Sequence, residues 1–396
     1  MQFRAFAMVA AAAALLPTAR LAKAQEPGNT ERPGRGGRIR GVAQRDLLYA
    51  AVPGRVDDIG FGGIGILVFD AGRNFRFVKR IPTWDYPASQ TPENVKGVAV
   101  SASLGMIYVS TTKRLGAWDL LTEKKVWEQT YDGKCCDRMA ISPDGKTMYV
   151  PSFEGPNWYV VDARTGELIR SLPTPASAGA HNMIWSLDGS KVFMAGLRSA
   201  TMSIADPKTN SVILTVGPFA NFVRPFTVNG AGTLIYANVN DLLGFQIADV
   251  KTGKVIHTVQ VQGYGWARER LTGHGCPSHG IALSPDEKEV WLTDGANSTV
   301  HVFDNTVMPP KQTKSIKVRD EPFWLTFSAN GKWVYSSTGD IIDATTKQVI
   351  AGLKDELGRE VQGEKALEII YQDGKVFKAV DQFGVGQVTA SASGGN

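Results

Sequence analysis

Cysteine and histidine are scarce, at three and five of 396 residues. Three cysteines cannot all pair within one chain, so a disulfide-built scaffold is excluded. The sequence has no C-x-x-C-H haem-attachment motif, no Gly-rich phosphate loop, no G-x-S-x-G elbow and no H-E-x-x-H. Those absences argue against covalent haem proteins, nucleotide enzymes, serine hydrolases and zincins. Long hydrophobic runs are also lacking. The stretch from Ala5 to Leu16 falls short of the ~20 apolar residues a membrane helix needs, and nothing later approaches that length. No membrane span is expected.

Acidic residues are missing from the first 24 positions, which hold Arg4, Arg20 and Lys23. Arg4, the apolar run, Pro17 and the small-residue site Ala22-Lys23-Ala24 have the layout of a secretory signal, with Gln25 as the mature N-terminus. No twin arginine and no lipid-anchor cysteine accompany it. Residues 1–24 are therefore expected to be a signal peptide and the protein to be periplasmic or secreted. Residues 25–44 read as a flexible basic leader. The formal charge is +5, and three of those charges lie in the signal, leaving +2. A chain so near neutral argues against nucleic acid as a partner.

What is abundant is turn chemistry, with 42 glycines and 20 prolines, between short strands rich in Val, Ile, Tyr and Phe. The clearest unit is DRMAISPDGKTMYVPSFEGPNWYVVDARTGELIRSL, Asp137 to Leu172. It reads as four strands, with a Pro-Asp-Gly turn after the first and a Thr-Gly turn after the third. Equivalent first turns recur as SASL, SPDG, SLDG, NGAG, SPDE, SANG and YQDG. Their third residues stand at 103, 144, 188, 231, 286, 330 and 373. Spacings of 41–44 residues, with one of 55, are those of four-stranded propeller blades. The predicted fold is all-β: one seven-bladed β-propeller over residues 45–390, with 391–396 as a disordered tail. The last blade must be closed by strands from both termini, which leaves no open sheet edge. Leu47–Val52 and Lys375–Asp381 both read as its second strand, so one is surplus.

The stretches MYVPSFEGPNWYVVDARTGELI and IALSPDEKEVWLTDGANSTVHVFD, and more weakly LLYAAVPG with ILVFDAG, resemble the YVTN family of seven-bladed β-propellers. That resemblance implies the same architecture over roughly Arg45 to Val385. Related propellers include lactonases and metal-assisted lyases, so it implies hydrolase or lyase chemistry. The acidic metal cage of those relatives is not reproduced in this sequence.

First strands line a propeller's channel, so one repeat position forms one ring at one height. That position reads Lys96, Asp137, His181, Arg224, His279 and Phe323, and the next adds Arg138, Asn182 and Trp324. Glu368 and Lys365 sit at the closing strand. The ring is expected to face a solvent-filled funnel that attracts a small anionic or oxygen-rich ligand. His181, His279 and Asp137 are the candidate catalytic residues. Lys96, Arg138, Asn182, Arg224, Trp324 and Glu368 are the candidate ligand-binding residues. Cys135 and Cys136 precede one inner strand and Cys276 another. A vicinal Cys135–Cys136 disulfide, a pairing of Cys276 with one of them, and a soft copper or zinc site of His274, Cys276 and His279 all stay open. The 55-residue spacing holds an insertion, Gln262 to Gly275, carrying Tyr264, Trp266, Arg268, Arg270 and His274. These would be interface anchors if the protein is instead a non-catalytic scaffold that docks a protein partner in a periplasmic redox or envelope complex.

Overall fold

A computed structural model describes residues 44–389, apart from 56, 133–134 and 273. The expected signal, nearly all of the leader and the tail beyond 390 lie outside the described residues. The seven sheets form seven antiparallel blades. Blade 1 comprises β4 (Val95–Ser101) to β7 (Lys125–Gln129), and blade 2 β8 (Ala140–Ile141) to β11 (Leu168–Pro173). Blade 3 runs from β12 (Ala180–Trp185) to β15 (Ser211–Val216), and blade 4 from β16 (Val223–Val228) to β19 (Lys254–Gln260). Blade 5 runs from β20 (Ile281–Leu283) to β23 (Lys311–Lys317), and blade 6 from β24 (Leu325–Phe327) to β27 (Gln348–Gly352). Among the described residues no helix is long and apolar enough to cross a membrane.

The repeated turns form by one local mechanism. In the first turn of a blade the serine hydroxyl bonds the aspartate or asparagine two residues on: Ser142 to Asp144, Ser186 to Asp188, Ser284 to Asp286 and Ser328 to Asn330. Gly145, Gly189 and Gly331 then take the positive φ that reverses the chain. Between third and fourth strands the carboxylates of Asp119, Asp162 and Asp343 accept backbone N–H groups two and three residues ahead. The inner three strands of each blade are largely buried against neighbouring blades, and the outermost strand faces water.

Both chain ends build blade 7. β28 (Ala366–Gln372) pairs with β1 (Gln44–Val52), which continues outward to β2 (Gly65–Asp70) and β3 (Arg76–Ile81). Neither candidate second strand is surplus. β29 (Lys375–Ala379) pairs with the other edge of β28, giving a five-stranded sheet. The chain then crosses the channel floor. Val98 N–H donates to Gln382 Oε1, and Gln382 Nε2 to the Met139 carbonyl. Trp324 Nε1 donates to the Gln382 carbonyl, Thr227 to the Gly384 carbonyl, and Gly386 N–H to Val228. Phe383 and Val385 are buried there.

Candidate functional site at the channel mouth

The ring residues stand just outside the regular ladders. In blades 1, 3 and 4 the inner strand is bulged between Val95 and Gly97, Ala180 and Met183, and Val223 and Phe226. These irregularities release Lys96, His181, Asn182 and Arg224 toward the mouth. In blades 2, 5 and 6 the inner strand starts late, so Asp137, Arg138, His279, Phe323 and Trp324 precede it. Gly97 and Gly280 occupy the second ring position because a Cβ there would approach the Cα atoms of Arg138 and Trp324 to 3.0 and 2.8 Å. Those close approaches set Arg138 and Trp324 against the axis.

Adjacent ring members join blade to blade. His181 Nδ1 donates to Asp137 Oδ2 at 2.5 Å, and His279 Nδ1 to the Phe323 carbonyl at 3.1 Å. Lys96 lies over the Phe153 ring. Arg138 crosses from blade 2 to lie over Trp324 of blade 6, 4.2 Å from the ring centroid, and donates to Glu364 Oε2. Lys365 donates to the same oxygen, whereas His274 Nε2 donates to Glu364 Oε1 at 2.5 Å. The His274 ring stacks on His279 with centroids 3.8 Å apart. His274 comes from the insertion, which is tied down by Thr272 donating to Glu321 and Arg268 donating to the Gly275 carbonyl.

The expected wet funnel is not what forms. Asp137, Arg138, Asn182, His181, His279, Lys96 and Lys365 are all buried, and Arg224 alone of the polar ring is partly open. Arg138 spans from blade 2 to Trp324 and Glu364, and Trp324 rests on Gln382 and Phe383 of the C-terminal segment. Burial then governs the electrostatics. Burial alone would raise the Asp137 carboxyl, but the charge and hydrogen bond of His181, with Lys96 and Arg138, hold it far below the usual range. Burial lowers the His181 imidazole, with Arg138 and Lys96 adding to this; Asp137 offsets only part. The Asp137 carboxylate is therefore ionised beside the imidazole. Burial, then the Arg138 charge, pushes the Lys365 ammonium down to about 7.

Four polar atoms of this cluster are buried without a hydrogen-bond partner: His181 Nε2, Arg138 Nε, and both amide atoms of Asn182. His181 Nε2 is the basic atom opposite the one held by Asp137.

Two expectations need correction. Glu368 is not at the mouth: it accepts from Ala329 N–H and Tyr335 on blade 6, because its position in β28 turns it into the interface between blades. Glu364, four residues earlier and before the strand begins, takes that role; it had no signal beyond being an acid next to Lys365. Cys276 is a buried free thiol, pushed by burial up to about 12, and is not among the ligand atoms that gather around His274 and His279. Of the cysteine pairings left open, the vicinal one forms: Cys135 and Cys136 are bonded to each other, and both are buried. Polar residues of the second-to-third loops are also spent locally, Arg198 on Glu154, Arg114 on Glu93, and Arg224 on Asn240. His301 is structural, held by Ser315 and Asp294.

A cavity of about 350 Å³ lies at the opposite end of the channel, against Ser142, Pro143, Trp185, Ser328 and Phe383. Its walls are mostly hydroxyl, small and apolar side chains, and the titratable cluster lies elsewhere.

No protein-family model matches the chain, and a search of curated proteins found no match. Among solved structures the chain is similar to dihydro-heme d1 dehydrogenase NirN in complex with DHE. That likeness has 16% identity and a TM-score of 0.57, over 85% of this chain and 73% of the other. It is also similar to a chain of the mitotic checkpoint complex, at 14% identity and a TM-score of 0.58, over 81% of this chain and 96% of the other. At such identities the likeness shows the propeller fold alone.

Proposed function

We propose that the channel mouth binds a small anionic or oxygen-rich molecule and that His181 acts on it as a general base, in hydrolase or lyase chemistry. The carrying observation is the Asp137–His181 pair, with Nδ1 held at 2.5 Å and Nε2 buried and unpartnered. An ionised carboxylate fixes the tautomer and supports the imidazolium formed when Nε2 takes a proton. Arg138, Lys96, Lys365 and partly open Arg224 supply the positive field for carboxylate or hydroxyl oxygens. The unpartnered amide of Asn182 offers a donor and an acceptor beside them. A propeller of similar shape is a dehydrogenase seen with a bound small molecule, which fits a ligand-handling role.

The signal-like leader and the paired cysteines support a periplasmic or secreted location. The alternative, a scaffold docking a protein partner, would use the same insertion, on which Tyr264, Arg268 and Arg270 are exposed. Tyr264 packs edge-on against His301, Trp266 against the core between blades 4 and 5, and Arg268 holds its own loop.

The test is turnover of a panel of aliphatic lactones, sugar lactones and carboxylated sugars by the purified protein and by His181→Asn. Asparagine keeps a donor toward Asp137 but supplies no base. The variant should fold normally by circular dichroism and lose about 10²–10⁴-fold in rate. Equal rates in both proteins, or no turnover of any compound by the wild type, would defeat the acid–base assignment.

A further inference from the structure

We propose that His274, His279 and Glu364 form a binding site for one divalent first-row transition cation of the zinc class. The site would have three protein ligands and an open coordination position. One ligand atom from each of the three lies within 4.8 Å of the others, the span expected around a single ion before it draws them in. Two histidines and a carboxylate are the donor set that such cations take in catalytic rather than structural sites.

The surrounding bonds leave Glu364 Oε1 and a nitrogen of His279 available, and the His274 ring, stacked on His279 with centroids 3.8 Å apart, would turn out of that stack to share one ion. Glu364 divides its oxygens: Oε2 receives Arg138 and Lys365, and Oε1 faces His274. The carboxylate is thus anchored on one side and open for monodentate binding on the other. His279 donates Nδ1–H to the Phe323 carbonyl, which fixes the tautomer with its Nε2 lone pair free. This is the outer bond that usually orients a metal-bound imidazole. His274 Nε2 now shares a proton with Glu364 Oε1, and a cation would replace that proton.

The insertion acquires a purpose on this reading. It interrupts the blade repeat to deliver His274 over the channel, and Thr272–Glu321 and Arg268–Gly275 hold it there. Arg138 and Lys365 already offset the Glu364 charge. A dication on Oε1 should therefore recruit an anion or hydroxide to its open position.

The inference does not depend on His181 acting as a base, and its readout needs no substrate. Full-length protein stripped with EDTA is loaded with Zn(II) or Co(II), desalted, and analysed for bound metal by mass spectrometry. About one equivalent should be retained. Co(II) should give a visible ligand-field band without a near-ultraviolet thiolate charge-transfer band. Glu364→Gln should weaken retention by at least about tenfold. That change removes a partner of two buried cations, so His274→Ala, on the partly exposed loop, is the companion variant. It should lose the metal while keeping the native circular dichroism spectrum. Cys276→Ser should bind normally. Metal lost on desalting by the wild type, undiminished binding by folded His274→Ala, or a thiolate band that disappears in Cys276→Ser would each overturn the assignment.

Discussion

At Asp137 and His181 a carboxylate and an imidazole leave solvent together, and the sign of their titration follows from that. Asp137, Arg138 and Lys96 face the ring of His181, and burial with the two cations outweighs the attraction of Asp137. The folded imidazole therefore takes up a proton at lower pH than the unfolded one, which titrates near about 6.5. Below that pH the unfolded chain binds a proton that the folded chain refuses, so stability is present above about 6.5 and falls on acidification. Asp137, also depressed, adds a second loss at lower pH, below the ordinary carboxylate range. Urea denaturation at pH 7.5, 6.5 and 5.5 measures the first effect. His181→Asn should show a shallower loss between pH 6.5 and 5.5, by up to about 1.4 kcal/mol per pH unit. Identical slopes would mean that His181 is protonated in the folded protein.

The channel insertion is the element whose sequence says least about its shape. Its aromatics and arginines look like surface decoration; the structure shows Tyr264 against His301, Trp266 against the core between blades 4 and 5, both arginines exposed, and His274 turned over the mouth. Glu321, buried on the approach to blade 6, is the hinge pin: it accepts from Thr272 N–H and hydroxyl at 3.0 and 2.5 Å. Glu321→Ala leaves both donors without that acceptor, at about 1–3 kcal/mol. The expected result is preferential protease cleavage within residues 262–275 while the rest of the propeller resists. Cleavage spread evenly over all blades would show instead that Glu321 supports the global fold. The regular strands were far more legible, because similar turns recur at spacings of 41–44 residues, four of them closed by a serine bonding the aspartate or asparagine two residues on. Five ring residues could be read the same way, from one repeat position. Glu364 could not, since it precedes the incomplete repeat, where no alignment marks which acid faces the axis. Glu368 misled because strand alternation sends its side chain sideways into blade 6.

On the scale of the whole molecule, the segment after β29 lies across the channel beneath the buried ring. It has no repeat, so its path was not readable from periodicity. Residues 382–388 bond or pack against the inner strands of five blades: Val98 of blade 1, Met139 of blade 2, Val228 of blade 4, Leu283 of blade 5 and Trp324 of blade 6. A propeller's blades otherwise touch mainly their neighbours around the ring, so this segment, with the Arg138 contacts to Trp324 and Glu364, couples blades across the axis. It also supports Trp324 from below through Phe383, and Trp324 carries Arg138. Two consequences separate the roles of axle and floor. Phe383→Ala should cost about 3–5 kcal/mol, as expected for a buried aromatic, with the unfolding transition still single. Ending the chain at Val380 should lower the calorimetric midpoint further than Phe383→Ala does. It should also broaden or split the transition as blades uncouple, and admit water beneath Arg138, seen as faster amide exchange at Met139 and Trp324. A truncated protein that melts at the wild-type midpoint in one sharp transition would show that the ring closure at β1 and β28 suffices, and that the tail merely fills the channel.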